Sequence, residues 1–328
     1  MPTRTGVLLG FDGGGTKTTG VLVADDGRVL ARARAGRSAI VGSPHPEAAA
    51  LLRRVCQELC VPAGVTTAAI AAAGVGLSGI DFADEHTAQV TGVAAALELP
   101  TARLRLVNDA IPSLWGATAA PAAAIIQHGT AFTAAWRARP GGETLFDHLD
   151  TGRQFDLRAQ LPVAVSRMLD GRLPPTPLLD AALAHYGVTD RTSFSELLYR
   201  GRLPADRLVT SIPVITAAWA AGDPVATELV TRAAEDYACT AAALLAKVGT
   251  RTADLALGGG LFRVAGTAFR DLVAARVRAA CPGANVVSPR LPPECGAVLM
   301  AAVHAGWPAA PLWTALAAQV PTDWEGQP

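Results

Sequence analysis

The chain opens on an apolar run, Val7 to Phe11, that ends in an acid, Asp12, and three glycines. Thr16-Lys17-Thr18 follows, and a second apolar run covers Val21 to Ala24. Two short apolar runs separated by a small polar stretch predict strand, tight turn, strand. Asp25-Asp26-Gly27 marks the next turn, Val29 to Ala35 is read as a third antiparallel strand, and Gly36 to Pro46 as a loop. The period then becomes helical. Leu51, Leu52, Val55 and Leu59 share one face of a segment from Pro46 to Cys60, with Glu47 in its first turn. Ala68 to Leu77 is an apolar strand that ends in Ser78-Gly79-Ile80-Asp81, and Asp84 to Leu97 is a helix. Leu104 to Val107 then delivers Asn108-Asp109 just before a helix that starts near Ile111.

Ala117 to Ala123, Ala-rich with Pro121, is the crossover into a second domain. Ala124 to Gln127 begins a strand that leads to His128-Gly129-Thr130-Ala131-Phe132, and Thr133 to Arg137 is its hairpin partner. This repeats the opening pattern, so two related halves around one cleft would each supply a small-residue hairpin. Gln154 to Lys247 reads as mostly helical, with breaks at 173–177, 187–192, 201–204 and 222–224; Asp223-Pro224 is an N-cap followed by Pro at the first helical position. Asp254 to Leu257 is a short strand, Gly258-Gly259-Gly260-Leu261-Phe262 a turn into a helix reaching Ala280, and Asn285 to Val287 a last strand. Pro292-Pro293-Glu294-Cys295-Gly296-Ala297 opens a closing helix to Gly306, and the segment after Trp307 is read as a peripheral tail.

With 328 residues the chain is long enough for two domains and a large core. Lys plus Arg and Asp plus Glu are both 28, with no long run of either sign, which argues against a nucleic-acid groove or an anionic membrane surface as partner. Met-Pro-Thr-Arg leads directly into a strand and no apolar run is long enough to span a bilayer, so a cytoplasmic protein is expected. The five cysteines are scattered. Cys56 and Cys60 sit one helical turn apart, but no His or Cys cluster lies nearby in sequence, so buried structural thiols are expected.

The first hairpin carries the strongest chemical signal. A Gly13-Gly14-Gly15 turn can take positive φ and bring backbone N–H groups close to a phosphate without side-chain interference, with Thr16, Lys17 and Thr18 as further donors and Asp12 placed to hold a hydrated Mg²⁺. A P-loop is excluded because Lys17 follows Thr16 and no helix opens there. The dinucleotide fingerprint is excluded because it needs glycine where Thr18 stands. Asp109, at the C-terminal end of a strand, is either a proton acceptor for an alcohol nucleophile or the N-cap of the following helix. Gly258, Gly259 and Gly260 leave a strand-to-helix turn bare of side chains, where a flat group can lie.

Asp-Gly-Gly-Gly-Thr-Lys-Thr after an N-terminal strand resembles the first phosphate loop of the superfamily that includes sugar kinases, actin and the heat-shock ATPases. Within it the chain is most similar to the N-acetylglucosamine kinase family, grouped with the ATPases that activate benzoyl-CoA reductase. The similarity continues through Gly74 to Asp81, Val107 to Ala110, Ala256 to Phe262 and Pro292 to Ala302. It implies two actin-like (ribonuclease H-like) α/β domains with mixed sheets around a nucleotide cleft, residues 1–118 and 119–328, the second with a helical insert. It further implies ATP and Mg²⁺ as cofactors, a sugar as the small-molecule partner, and a homodimer. Asp109 matches the catalytic aspartate; Gly129 and Thr130 match the second phosphate loop; Gly258, Gly259 and Gly260 match the adenosine site. Ser78, Asn108, Thr130 and Asp150 match sugar contacts.

Three departures mark this chain. Arg37-Ser38-Ala39-Ile40 stands where the family carries a sugar-contacting asparagine. Gly129-Thr130-Ala131-Phe132 replaces Gly-Thr-Gly-Ser, and the Cβ of Ala131 is expected to oppose positive φ by roughly 1 kcal/mol. Asp150-Thr151-Gly152-Arg153 lacks the family's second acid and gains an arginine, which favours a substrate with a negative or differently placed polar group, although a solvent-facing arginine explains it equally. The function expected is ATP-dependent phosphorylation of a sugar or amino-sugar hydroxyl, with N-acetylglucosamine as first guess. The alternatives are a nucleotide- or sugar-binding protein without catalysis and an activator-type ATPase.

Overall fold

The computed structural model describes residues 6–38, 46–146, 154–250 and 252–321. In chain order the elements are β1 (Val7–Gly13), β2 (Thr18–Ala24), β3 (Val29–Ala35), α1 (Pro46–Cys60), β4 (Ile70–Leu77), α2 (Ala83–Ala96), β5 (Leu104–Val107) and α3 (Ala110–Ala117). After the crossover come β6 (Ala123–His128), β7 (Phe132–Arg137) and β8 (Glu143–Leu145). A helical run follows: α4 (Leu157–Leu169), α5 (Pro177–Tyr186), α6 (Arg191–Tyr199), α7 (Ala205–Val209), α8 (Ile212–Ala220) and α9 (Pro224–Val248). The chain ends with β9 (Ala253–Gly258), α10 (Gly260–Ala280), β10 (Ala284–Val287), α11 (Pro293–His304) and α12 (Ala309–Gln319).

Two five-stranded mixed sheets result, in the orders β3-β2-β1-β4-β5 and β10-β9-β6-β7-β8. Read from the hairpin edge the second is β8-β7-β6-β9-β10, the order of the first repeated. In each, two antiparallel pairs are followed by two parallel ones. The repeat inferred from two small-residue turns is therefore a repeat of whole sheets. β8, too short to read as a strand in sequence, completes it.

Both sheets are apolar on two faces, so each must be covered twice. Leu9, Phe11, Leu22 and Val75 pack outward under α1 and α2. Ile126, Ala134, Leu255 and Leu257 pack under the long helices α9 and α10. Between the sheets, Leu8 and Val21 of the first and Ile125 and Ala256 of the second meet Leu114, Trp115, Val298 and Leu299 of α3 and α11. Leucines and phenylalanines without exposed surface, such as Leu8 and Phe11, each contribute about 2 kcal/mol by burial.

The segment after Trp307 is not peripheral. Pro308 and Pro311 obscure a helix, α12, that buries Leu312 and Leu316 between the sheets. Gln319 on it accepts from Val29 N at 3.0 Å and donates to Gly27 O at 2.8 Å, fixing the turn before β3. Cys56 and Cys60 are buried, as expected, and so is Cys295, whereas Cys239 is exposed and Cys281 partly so. Among the described residues, no single helix is long and apolar enough to cross a membrane.

Candidate active site

The register of β1 with β2 pairs Asp12 with Thr19 and Gly13 with Thr18, so the first turn is Gly14 to Lys17, closed by Gly14 N donating to Lys17 O at 2.9 Å. Parallel pairing sets Gly13 beside Leu77 of β4, and Ser78 N donates to Gly13 O at 2.9 Å. β5 lies next, and its end presents Asn108 and Asp109. Three strand C-termini thus bring Asp12, Ser78 and Asp109 to one edge, the usual ligand-binding edge of such sheets.

None of Gly13, Gly14 and Gly15 adopts positive φ, so the expected conformational reason for three glycines does not hold. Space is the reason instead. A Cβ on Gly13 would lie 2.2 Å from Ser38 Oγ and 2.5 Å from Leu77 Cδ2, whereas one on Gly15 would meet nothing within 4 Å, which leaves that stretch of backbone open to a ligand. Thr18 is a second correction: its buried hydroxyl lies 2.7 Å from Gly36 O and from Ser38 Oγ, so it ties the hairpin to the following loop and does not face the cleft.

A cleft of about 760 Å³ lies between the two sheets. Its first wall has Asp12, Gly14, Gly15, Thr16 and Lys17 with Ser78, Asn108 and Asp109; its second has Gly129, Thr130, Gly258, Gly259 and Gly260. Of the residues singled out in sequence, Gly13 and Thr18 are missing from its lining, and Asp150 lies outside the described residues.

Asn108 is spoken for within the protein. Its amide donates to Asp81 Oδ1 at 2.5 Å, and its Oδ1 accepts from Ala110 N at 2.8 Å. Asn108 therefore caps α3 and holds Asp81, while Asp109 makes no capping bond through its side chain. The capping role left open for Asp109 is therefore not filled by its side chain. Burial first, and then the nearby Asp81, push the Asp109 carboxyl up to about 7. Asp12 is raised too, by burial, by Asp109 and by Glu294, with Lys17 opposing. Asp81 and Glu294 were visible in sequence only as parts of a turn and a helix start. Like charge converging on a strand edge is a tertiary property that no local pattern encodes.

The second loop departs from expectation in a useful way. Ala131 does not have positive φ, so its Cβ carries no backbone penalty, and Phe132 packs inward, edge-on to His128 with centroids 5.6 Å apart. Beneath the loop lies a network that sequence reasoning missed. His128 Nδ1 is 2.5 Å from Tyr237 Oη, and Arg158 Nη2 donates to His128 Nε2 at 2.8 Å. Arg158 also donates from Nη1 to Gly129 O at 2.8 Å and from Nε and Nη2 to Asp156, which caps α4 through Arg158 N. Burial alone would raise the Asp156 carboxyl, but the bonds and charge of Arg158 hold it well below the usual carboxylate range. The available signal was Asp156-Leu157-Arg158 before a helix, an N-cap with a guanidinium two residues on.

Gly259 joins this loop to the last one. It has φ +96°, and a Cβ would fall 2.5 Å from His128 O. Gly259→Ala is therefore expected to destabilise the fold by about 2–4 kcal/mol and to weaken nucleotide binding at least tenfold. Thermal melting and a fluorescent-nucleotide titration check this; a melting point within a degree of the parent would refute it.

The two repeated sheets, the paired hairpins and the carboxylates of the cleft define the α/β fold of the actin-like sugar kinases. The chain belongs to the BadF/BadG/BcrA/BcrD ATPase family, whose model it matches over residues 9–301. A candidate N-acetylglucosamine kinase from Chromobacterium violaceum superposes with a TM-score of 0.66 at 26% identity, covering 90% of this chain and 99% of that one. A candidate N-acetylglucosamine kinase from Porphyromonas gingivalis gives 0.63 at 17% identity, with 92% and 99% covered. A ROK family glucokinase from Streptomyces griseus, solved with glucose and AMPPNP, gives 0.58 at 18% identity, with 91% and 99% covered. At these last two identities the likeness is one of fold. No curated protein matches the chain. The family and the neighbours make this a kinase-type ATPase fold, and the family implies use of ATP.

Proposed function

We propose that the protein transfers the terminal phosphoryl group of ATP to a hydroxyl of a sugar or amino sugar. The observation that carries this reading is Asp109: a carboxyl on the cleft floor, unused as a cap and raised to about 7, across from an open phosphate loop. A base poised near neutrality accepts the acceptor's hydroxyl proton efficiently as the new P–O bond forms. Gly14, Gly15, Thr16 and Lys17 hold the phosphates from one wall and Gly129 and Thr130 from the other, while the bare Gly258–Gly260 turn takes the adenosine. Ser78, and Asp81 through the lock imposed by Asn108, orient the acceptor. Asp150 is retained as a candidate sugar contact on the resemblance alone.

The site suits Mg²⁺. Asp12 sits where burial and two further carboxylates disfavour its charge, a conflict that a divalent cation relieves. When bound, the metal would neutralise charge on the phosphates. Following the resemblance, we assign the protein to the cytoplasm and to a homodimer, and take N-acetylglucosamine as the first acceptor to try.

The test is ADP release from Mg-ATP against hexoses, amino sugars and N-acetyl amino sugars. Acceptor-dependent release is expected for one of these classes. Nucleotide binding without any acceptor dependence would replace the reading by that of a non-catalytic nucleotide binder.

A further inference from the structure

A second cavity, of about 410 Å³, lies behind the first hairpin, where β2 and β3 meet the start of α11 and the end of α12. The strand register explains its lining. Thr19 pairs with Arg34 and Val21 with Arg32, so two arginines, two residues apart on β3, share the face that Thr19 presents to α11. Lys17, two residues before Thr19, reaches the same space, and it is the phosphate-loop residue that also lines the cleft.

The charges do not balance. Three cations, Lys17, Arg32 and Arg34, meet one anion, Glu294. Glu294 is already engaged twice: Oε1 accepts from Arg32 Nη1 at 3.1 Å and Oε2 from the Thr19 hydroxyl at 3.1 Å. That triad is explained as a brace holding the hairpin to α11. It leaves Arg34 unexplained and Lys17 with only its place at the cleft, because among the described residues neither side chain makes an ion pair or hydrogen bond. Two unpaired cations converging on a concavity, when a strand face could have carried Thr or Glu instead, point to an anion between them.

We propose that this cavity is a second anion site, separate from the cleft, that takes the phosphate group of a small phosphorylated molecule between Arg34 and Lys17, beside Arg32, whose Nη1 and Nη2 are already engaged by Glu294 and Cys295. Its volume is within the range of small-ligand sites and exceeds what inorganic phosphate alone would fill, so a phosphate ester of sugar size is the expected form. Lys17 couples the two sites. An anion that draws its ammonium away from the phosphate loop weakens nucleotide binding, and by reciprocity the nucleotide weakens the anion by the same factor. The inference stands apart from the assignment of a phosphoryl acceptor, since it concerns binding behind the loop.

Calorimetric titration of the full chain with a hexose 6-phosphate and, separately, with inorganic phosphate tests it without turnover. One saturable site per chain is expected, tighter for the ester. Arg34→Ala should weaken binding about tenfold and Arg34→Glu should abolish it, as expected for loss of a charge-assisted contact. Arg34 is exposed, so both variants should melt like the parent. Asp109→Asn should leave the affinity unchanged, so the outcome does not depend on whether the protein is a kinase. Equal affinity for both anions would support the site as one for free phosphate. No saturable binding, or binding indifferent to Arg34, would overturn the proposal.

Discussion

Asp109→Asn is expected to abolish acceptor-dependent ADP release and, in the same molecule, to stabilise the ligand-free fold at alkaline pH. A positioned base contributes about 10²–10⁴-fold to proton transfer, and the isosteric amide keeps the shape while removing the acceptor of the proton. The stability effect follows from the pKa. In the fold the Asp109 carboxyl is pushed up to about 7, by burial and then by Asp81, whereas in the unfolded chain it titrates near ~3.9. Between these values the folded state holds the proton and the unfolded state does not, so stability falls as pH rises from about 4 to 7 and stays reduced above. At pH 8 the ionised group opposes folding by an amount on the order of 4 kcal/mol, which the amide removes. Melting curves at pH 5.5 and 8 should show the parent losing more on alkalinisation than the variant. Asp12, raised in the same direction, keeps part of the loss in both. The transfer rate of the parent should rise with pH through about 7. A rate flat from pH 5.5 to 8, or a variant no more stable than the parent at pH 8, would count against Asp109 as the base.

That trade between activity and stability also explains which parts of the site the sequence made legible. Asp12 and Asp109 each end an apolar strand, and the glycine turns stand beside them, so chain-local pattern was enough to place both. The same pattern showed two small-residue hairpins and so two related halves, while the mixed-sheet plan came from the family resemblance. What escaped were groups whose meaning comes from a neighbour far along the chain. Asp81 matters because Asn108 grips it, Glu294 because β1 brings Asp12 toward it, and Thr18 turns inward because Ser38 is there. The conformational part of the glycine reasoning failed for a related reason. Gly13 is required by the approach of Ser38 and Leu77 and Gly259 by the backbone of His128, which are close contacts between segments that composition does not report. Ala131, read as a penalty, carries none because its backbone never enters the region where a Cβ is costly.

The Arg158 network makes the remaining strong prediction. Arg158→Met is expected to destabilise the protein by about 2–4 kcal/mol and to weaken nucleotide binding at least tenfold. Methionine fills much of the same volume but offers no donor. Gly129 O, His128 Nε2 and both oxygens of Asp156 then lose their partner together. Removing one member of a fully buried pair costs about 3–5 kcal/mol. The figure is reduced here because the Asp156 side chain keeps 29% of its surface exposed and water recovers part of the loss. The binding effect has a different origin: Gly129 O is the point at which the guanidinium holds the second loop against the cleft. The two effects can be separated. Asp156→Asn in the Arg158→Met background removes the stranded charge and should recover part of the stability, but it cannot restore the bond to Gly129 and should leave the affinity low. Arg158→Lys keeps the charge without the planar fork that reaches Asp156, His128 and Gly129 at once, so it should recover stability more than affinity. Calorimetry for the nucleotide beside thermal melts reads both quantities. If the double variant regained affinity along with stability, the network would be a fold support only, and the placement of the second loop would have to come from Gly259 and the packing of Phe132 alone.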